Sequence, residues 1–181
     1  QRFLRADMRA LPLADEACSA VLSLFTAFGY FGDLAAHRGL VAEIARVLAP
    51  GGHWYLDFLN SERVRRELGT SPRERVRELE DLLVHESRSL ASTPRRVVKT
   101  VRVSARPGHE EAAAAVGVRG EIRYAEEVSL FGLDELDALA AGAGMVRVAA
   151  AGDYDGAPLD ADESERWLLV YRRTGAQGEG P

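Results

Sequence analysis

Cysteine is nearly absent from this sequence. Cys18 is the only cysteine among 181 residues, so an intrachain disulfide and a cysteine-based metal centre are both excluded. The histidines His37, His53, His85 and His109 show no spacing typical of metal ligands, and we expect no metal site. Cys18 lies in an apolar run and is predicted to be a core residue, because free cysteines are usually buried.

The sequence also lacks a block of basic residues. Its formal net charge is -5, from 23 Lys and Arg against 28 Asp and Glu. The arginines Arg63, Arg65 and Arg66 are interleaved with Glu62 and Glu67. Proteins that bind nucleic acids concentrate Lys and Arg on one surface, so we expect no nucleic-acid partner.

Long hydrophobic runs are missing as well. No apolar run reaches the length of a transmembrane helix, and no signal peptide opens the sequence. With the single cysteine, these absences predict a cytoplasmic protein that has no membrane segment. The hydrophobic content of 46% and the charged content of 28% are those of an ordinary globular domain.

One stretch, residues 46–57, organises the rest of the chain. Upstream of it, apolar residues recur at helical spacing at Leu40, Val41, Ile44, Val47 and Leu48. Proline has no N–H and disfavours helix in the residue before it, so the helix is expected to stop at Pro50. Gly51 and Gly52 then favour a tight turn.

A buried strand is predicted after this turn, over Trp54–Phe58. It ends with Asp57 and Asn60, two polar residues at a carboxyl edge. In open α/β sheets this edge is where ligands bind.

The first sixty residues give the order strand, loop, strand, helix, strand. Strands are predicted at 3–7 and 20–25, and Asp33 is placed to cap the helix. This order is typical of a parallel sheet with helical crossovers. We therefore predict a mixed sheet in which the strands at 3–7, 20–25 and 53–58 are parallel and adjacent.

The pattern changes after residue 60. Residues 61–81 are charged with mixed signs and are predicted to form one or two exposed helices. Strands follow at 82–90, 96–105 and 118–130, with turn signals at Pro94 and at Pro107-Gly108 and a hairpin tip at Ala112–Ala115. We interpret 61–130 as an insertion that forms a lid of antiparallel strands.

The last third returns to α/β patterning. A helix is predicted over Leu133–Ala141, with Leu136 and Leu139 facing inward and Gly142 ending it. Strands are predicted at 145–150 and 167–172, and residues 175–181 are predicted to be a disordered tail.

Four segments resemble the class I S-adenosylmethionine-dependent methyltransferases of the small-molecule branch. They are RADMRALPL (5–13), AVLSLFTAFGYF (20–31), EIARVLAPGGHWYLDFLN (43–60), and GDYDGAPL (152–159) with RWLLVYRR (166–173). The most specific part is R-V-L-x-P-G-G. The resemblance implies a Rossmann-like α/β fold with an antiparallel insertion after the fifth strand, methyl transfer to a small-molecule acceptor, and S-adenosylmethionine as cofactor.

One departure from the family is large. The family begins with a strand, a G-x-G-x-G loop and a second strand ending in an acid, and the sequence has no such loop. We interpret residues 1–174 as a partial methyltransferase domain lacking the first two strands, and expect the fragment alone to be inactive. The alternative is a non-catalytic remnant or partner-binding domain of the same fold.

The resemblance also assigns the cofactor-binding residues. It places Asp7 at the adenine amino group, Met8 against the adenine ring, and Leu24 and Phe25 beside the methionine portion. Without the family, Asp7 reads as a turn-forming aspartate, and Leu24 and Phe25 read as core residues.

Substrate and catalytic residues are predicted from position. Phe28, Tyr30 and Phe31 either form a wall of a substrate pocket or seal the end of the sheet, and Asn60 is a further substrate candidate. Methyl transfer needs alignment in a water-poor pocket, and a base only if the nucleophile carries a proton. The weak candidates for that base are His37, Asp57 and Tyr154. A structural role is the favoured reading for His37, and hydrogen bonding to loop amides is the competing reading for Asp57.

Overall fold

The structure, a computed structural model, describes residues 3–69, 71–91 and 95–175. The chain divides into two compact units, one built up to Arg63 and again from Phe131 onward, the other from Val64 to Leu130. The elements in chain order are β1 (Cys18–Ser23), α1 (Leu34–Val47), β2 (Leu48–Leu59), α2 (Ser61–Leu68), β3 (Arg73–Glu78), β4 (Leu82–Ala91), β5 (Arg96–Ala105), α3 (Glu110–Ala115), β6 (Glu121–Ser129), α4 (Leu133–Gly142), β7 (Met145–Ala151) and β8 (Arg166–Arg173).

The first unit contains a mixed sheet in the order β1-β2-β8-β7. β1 and β2 are parallel, as predicted, while β8 is antiparallel to both of its neighbours. The predicted strand at 3–7 is wrong. Residues 3–6 have no strand structure, and Asp7 forms only an isolated bridge with Ala10. A strand needs a neighbour for its backbone hydrogen bonds, and this segment turns back on itself instead.

The Pro-Gly-Gly turn lies inside a strand rather than after a helix. α1 ends at Val47, three residues earlier than the predicted stop at Pro50. The turn forms a bulge in β2, where the register with β1 shifts. Gly51 has φ +77°, and a Cβ on Gly52 would lie 2.8 Å from the carbonyl oxygen of Ala49. Both glycines are therefore required by the backbone.

The helix α1 begins as predicted. The Asp33 carboxylate accepts a hydrogen bond from the Ala36 N–H at 2.7 Å, which caps the helix. Its buried residues are His37, Leu40, Val41, Ile44, Ala45 and Val47. The largest fully buried side chains of the sheet include Trp54, Phe58, Trp167 and Tyr171.

The second unit contains an antiparallel sheet in the order β3-β4-β5-β6. The predicted strands at 82–90, 96–105 and 118–130 are confirmed as β4, β5 and β6. Residues 61–81 are only partly helical, because Arg73–Glu78 pair with β4 as a strand. Ala112–Ala115 lie in the connection between the antiparallel strands β5 and β6, as predicted for a hairpin tip, but this connection contains the helix α3, where Ala113 is fully buried.

The final elements are close to prediction. α4, β7 and β8 are confirmed, and Leu136 and Leu139 are buried. α4 includes Gly142, and the left-handed residue that follows the helix is Gly144, with φ +73°. Cys18 is half-buried rather than a core residue. The turn at Pro94 and the tail beyond Gly175 lie outside the described residues.

The described residues contain neither a membrane-spanning helix nor a cluster of metal ligands. None of the helices in 3–69, 71–91 and 95–175 is long and apolar enough to cross a membrane. The same part of the chain contains no group of three or more His, Cys, Asp or Glu side chains placed to hold a metal ion.

β1 is expected to make the polypeptide 1–181 associate. In the described part of the chain β1 pairs only with β2, and its Leu22 side chain is 59% exposed. An unpaired strand edge is a template for pairing with another chain. Light scattering should therefore show oligomers at micromolar concentration.

Leu22→Lys is the matched variant for this prediction, because a lysine on an edge strand opposes pairing. It should shift the protein toward monomer with little change in melting temperature, since the replaced side chain is exposed. A parent polypeptide that is monomeric and melts cooperatively would contradict the prediction.

Candidate active site

The polar groups of the first unit converge at the carboxyl edge of β1 and β2. Asp57 is near the end of β2, and Phe25 follows β1. Tyr154 follows β7, and Arg166 begins β8, which runs in the opposite direction and so starts at this same edge. The topology therefore brings side chains from three segments far apart in sequence to one place.

Asp57 is the centre of this group. Its side chain is buried, and the residue is 2% exposed. One carboxylate oxygen accepts hydrogen bonds from the Phe25 N–H at 2.6 Å and from the Tyr154 hydroxyl at 2.8 Å. The other accepts from the Arg166 guanidinium. Since both oxygens are engaged by protein donors, the structure favours the loop-holding reading of Asp57 over the base reading.

Residues 24–27 form a turn of unusual backbone. Phe25 and Thr26 have φ of 54° and 60°, and the Ala27 N–H donates to the Leu24 carbonyl at 3.0 Å. Positive φ at both central positions is the pattern of a type I′ turn. Such turns favour Asn and Gly, and a β-branched residue such as threonine is an outlier there.

Further bonds hold this turn from outside it. The Thr26 N–H donates to the Asp57 backbone carbonyl at 3.0 Å, and the Arg166 guanidinium donates to the Thr26 hydroxyl at 2.8 Å. Phe25 is left 77% exposed at the edge of the sheet. The turn thus presents an aromatic side chain at the place where ligands bind in α/β sheets.

Tyr154 is a hydrogen-bond donor in this group. Lost hydration of its hydroxyl, and then the hydrogen bond to the Asp57 carboxylate, raise the pKa of the phenol above its ordinary value. Tyr154 is 63% exposed, so solvent reduces this pKa shift. A phenol with a raised pKa stays protonated at neutral pH, which argues against Tyr154 as a base.

The predicted adenine loop is exposed. The Asp7 carboxylate accepts from the Arg9 backbone N–H at 2.9 Å and pairs with its guanidinium at 2.7 Å. These bonds hold the pKa of Asp7 at about 2, so the group is ionised at neutral pH. Met8 is also exposed. The local bonds correspond to the turn-forming reading of Asp7 and leave a carboxylate at the surface.

An ion pair on α1 anchors the residues after this loop. The Arg46 guanidinium donates to the carbonyls of Leu11 and Leu13 at 3.0 and 2.8 Å, and pairs with Glu43 and Asp15. The Glu43 carboxylate accepts from the Leu11 N–H at 2.6 Å. Arg46 therefore has a structural role, as the partner of two carboxylates and two backbone carbonyls.

Phe28 lies in the core rather than at a pocket. It is 1% exposed, and its ring contacts those of His37, Trp54, Phe58 and Phe131 at centroid distances of 5.2 to 6.0 Å. Of the predicted pocket residues, this leaves an exposed Tyr30 and a half-buried Phe31. The Arg9 guanidinium lies 4.8 Å from the centre of the Phe31 ring.

His37 and Asn60 have structural partners. His37 is buried, and its Nδ1 is 2.7 Å from the Asp33 carbonyl oxygen. The Asn60 side chain accepts from the backbone N–H groups at the start of α2 and donates to the Ser164 carbonyl at 2.8 Å. Both are buried, so neither is placed to meet a substrate in this conformation.

Sequence reasoning did not identify Arg166 and Thr26. The signal for Arg166 was its position at the start of a strand that reaches the same edge as Asp57, which requires knowledge of the strand order. Thr26 carries no local signal, because its sequence neighbours give no indication of a left-handed backbone.

Comparison with known proteins identifies the fold. Residues 1–56 match the sequence model of the family described as a methyltransferase domain. No curated protein sequence matches the chain. An S-adenosylmethionine-dependent methyltransferase from Clostridium acetobutylicum aligns with a TM-score of 0.77 and 11% identity, over 96% of this chain and 65% of that one.

Two further structures are similar. The CcbJ methyltransferase from Streptomyces caelestis gives a TM-score of 0.74 and 19% identity, over 94% of this chain and 62% of its own. The amino pentose methyltransferase CalS10 from Micromonospora echinaspora, solved with S-adenosylmethionine, gives 0.60 and 24%, over 93% and 63%. The chain spans less than two thirds of each of these proteins. It has their Rossmann-like α/β fold.

Proposed function

We propose that this chain is part of an S-adenosylmethionine-dependent methyltransferase that acts on a small-molecule acceptor. The observation that carries the proposal is the carboxyl edge of β1 and β2, where the Leu24–Ala27 turn is held by a buried carboxylate. The methyltransferase fold and the match over residues 1–56 support it. We also propose a cytoplasmic location and no nucleic-acid partner, on the composition of the sequence.

The exposed residues Asp7, Met8, Leu24 and Phe25 suit the adenine and methionine portions of the cofactor. Asp7 is an exposed, ionised carboxylate, which can accept a hydrogen bond from an exocyclic amino group. Met8, Leu24 and Phe25 are exposed apolar side chains that can cover a heterocycle and a thioether. We assign these four residues to cofactor binding.

The protein's part in the reaction is alignment. S-adenosylmethionine, when bound, supplies an activated methyl group whose leaving group is a neutral thioether, so no general acid is required. We propose that Tyr30 and Phe31 exclude water beside the acceptor. The Leu24–Ala27 turn positions the methyl donor, and this positioning can account for much of the rate of methyl transfer.

A small-molecule acceptor fits what is known of the relatives. CalS10 is described as an amino pentose methyltransferase, and its fold is shared by this chain. Exposed aromatic side chains beside a polar edge suit a small polar acceptor with an apolar face. We therefore propose a small molecule of this kind as the acceptor.

Calorimetry with S-adenosylmethionine tests the proposed function. The sequence 1–181 contains no G-x-G-x-G loop, and the proposed cofactor contacts that it offers are those of Asp7, Met8, Leu24 and Phe25. We expect binding no tighter than roughly millimolar, about -4 kcal/mol. An extended polypeptide, which carries a strand, a G-x-G-x-G loop and a second strand ending in an acid upstream of Gln1, is expected to bind the ligand more tightly.

The same titration separates the competing functions. A non-catalytic remnant would bind no better in its extended form than in residues 1–181. A nicotinamide dinucleotide serves as the control ligand and should bind neither form. Failure of the extended polypeptide to bind S-adenosylmethionine would overturn the proposal.

A further inference from the structure

We infer that Asp57 is the positioning residue of this site, and that it acts by holding the strained turn over Leu24–Ala27. The inference rests on the proposed function, since it concerns how the same edge is shaped for its ligand. It assigns Asp57 no contact with substrate and no proton transfer.

The turn would not be expected to form from its own sequence. Phe25 and Thr26 both occupy the left-handed region, with φ of 54° and 60°. Residues held in such conformations persist only where their surroundings over-determine them, and they cluster at functional sites. Neither residue is glycine or asparagine, so the conformation must be stabilised from outside the turn.

The surroundings that stabilise it centre on Asp57. Its carboxylate accepts the Phe25 N–H, its backbone carbonyl accepts the Thr26 N–H, and its partner Arg166 donates to the Thr26 hydroxyl. Every one of these bonds engages a central residue of the turn. The burial of Asp57 makes them strong, because little water competes for the same groups.

The hydrogen bonds from Asp57 and Arg166 to the turn, here called the clamp, determine the placement of Phe25. Its side chain is the most exposed of the group, at 77%. The backbone of the turn sets the direction in which this side chain leaves the chain. A ring fixed in advance costs less ordering free energy when a ligand binds.

Hydrogen exchange of the Thr26 amide tests the clamp directly. This N–H bonds to the backbone carbonyl of Asp57, a partner that an Asp57→Asn change leaves in place. The asparagine keeps the shape of the side chain, but its amide group cannot accept from all three donors. We expect Thr26 protection, relative to the Leu56 amide of β2, to fall by about tenfold.

Glycine should rescue the turn. Phe25→Gly places at the strained position a residue that adopts positive φ without cost. In the Asp57→Asn, Phe25→Gly double variant, relative Thr26 protection should return to within about threefold of the parent value. A purely electrostatic role for Asp57 as the partner of Arg166 would not be rescued in this way.

Tyr154→Phe is the matched control. It removes another hydrogen bond to the same carboxylate without touching the turn, and should leave relative Thr26 protection within about twofold. Unchanged protection in Asp57→Asn, or no rescue by Phe25→Gly, would overturn the clamp.

A second measurement connects the clamp to the ligand. In the extended polypeptide, Asp57→Asn should weaken S-adenosylmethionine binding about tenfold. Equal affinity in parent and variant, with the exchange result intact, would overturn the positioning role. If the extended parent binds no S-adenosylmethionine, the proposed function is wrong and the cofactor role falls with it, while the exchange result still shows the clamp.

Discussion

Replacing Phe28 with alanine is expected to lower the free energy of unfolding by about 3–5 kcal/mol. Phe28 is 1% exposed and touches four other aromatic rings, including those of His37 and Trp54. Its removal leaves a cavity among large, rigid rings that cannot collapse to fill it. Urea denaturation of residues 1–181, in the Leu22→Lys background that opposes association, measures this loss.

Tyr30→Ala is the comparison that decides between the two readings of this aromatic loop. Tyr30 is two residues away and 46% exposed, so its loss should change stability by only about 0.5 kcal/mol. If Phe28 were instead a pocket residue, Phe28→Ala would cause a small loss of stability and a large loss of acceptor binding. Equal stability losses in Phe28→Ala and Tyr30→Ala would contradict the core assignment of Phe28.

The sequence was sufficient for elements whose signals are local. Asp33 caps α1 because the carboxylate and the amide it accepts lie three residues apart. The apolar periodicity of α1 and the β-branched residues of β5 likewise depend only on near neighbours. Prediction was wrong where pairing decides the outcome. Arg73–Glu78 is highly charged, yet it becomes a strand because β4 offers an edge to it.

The candidate site was predicted only in part, for the same reason. Asp57 stood out as a single polar residue in an apolar strand, and its position at the carboxyl edge followed from the α/β pattern. Its partners lie about a hundred residues later, where Tyr154 follows β7 and Arg166 begins β8. Strand order alone brings them to Asp57. Phe28 and Phe31 are similar in sequence context, and only packing distinguishes them.

Substituting Asp7 with alanine in the extended polypeptide is the test of the adenine assignment. We expect S-adenosylmethionine to bind roughly 5- to 100-fold more weakly, because the adenine amino group would lose its acceptor in a desolvated contact. The Arg9 guanidinium keeps the pKa of Asp7 at about 2. The carboxylate is therefore ionised throughout pH 5–8, and the effect of the substitution should not vary over that range.

Arg9→Gln separates ligand binding from the local ion pair. The Asp7 carboxylate is paired with the Arg9 guanidinium in this structure. Adenine must therefore share the carboxylate with Arg9 or displace Arg9 from it. If Asp7 serves the ligand, removing the competing guanidinium should leave binding unchanged or tighten it, while Asp7→Ala weakens it. If the two variants weaken binding equally, the Asp7–Arg9 ion pair acts by stabilising the loop, and Asp7 makes no contact with adenine. If Asp7→Ala binds as tightly as its parent, the adenine assignment is wrong, and the exposed carboxylate serves only the turn that it forms with Arg9.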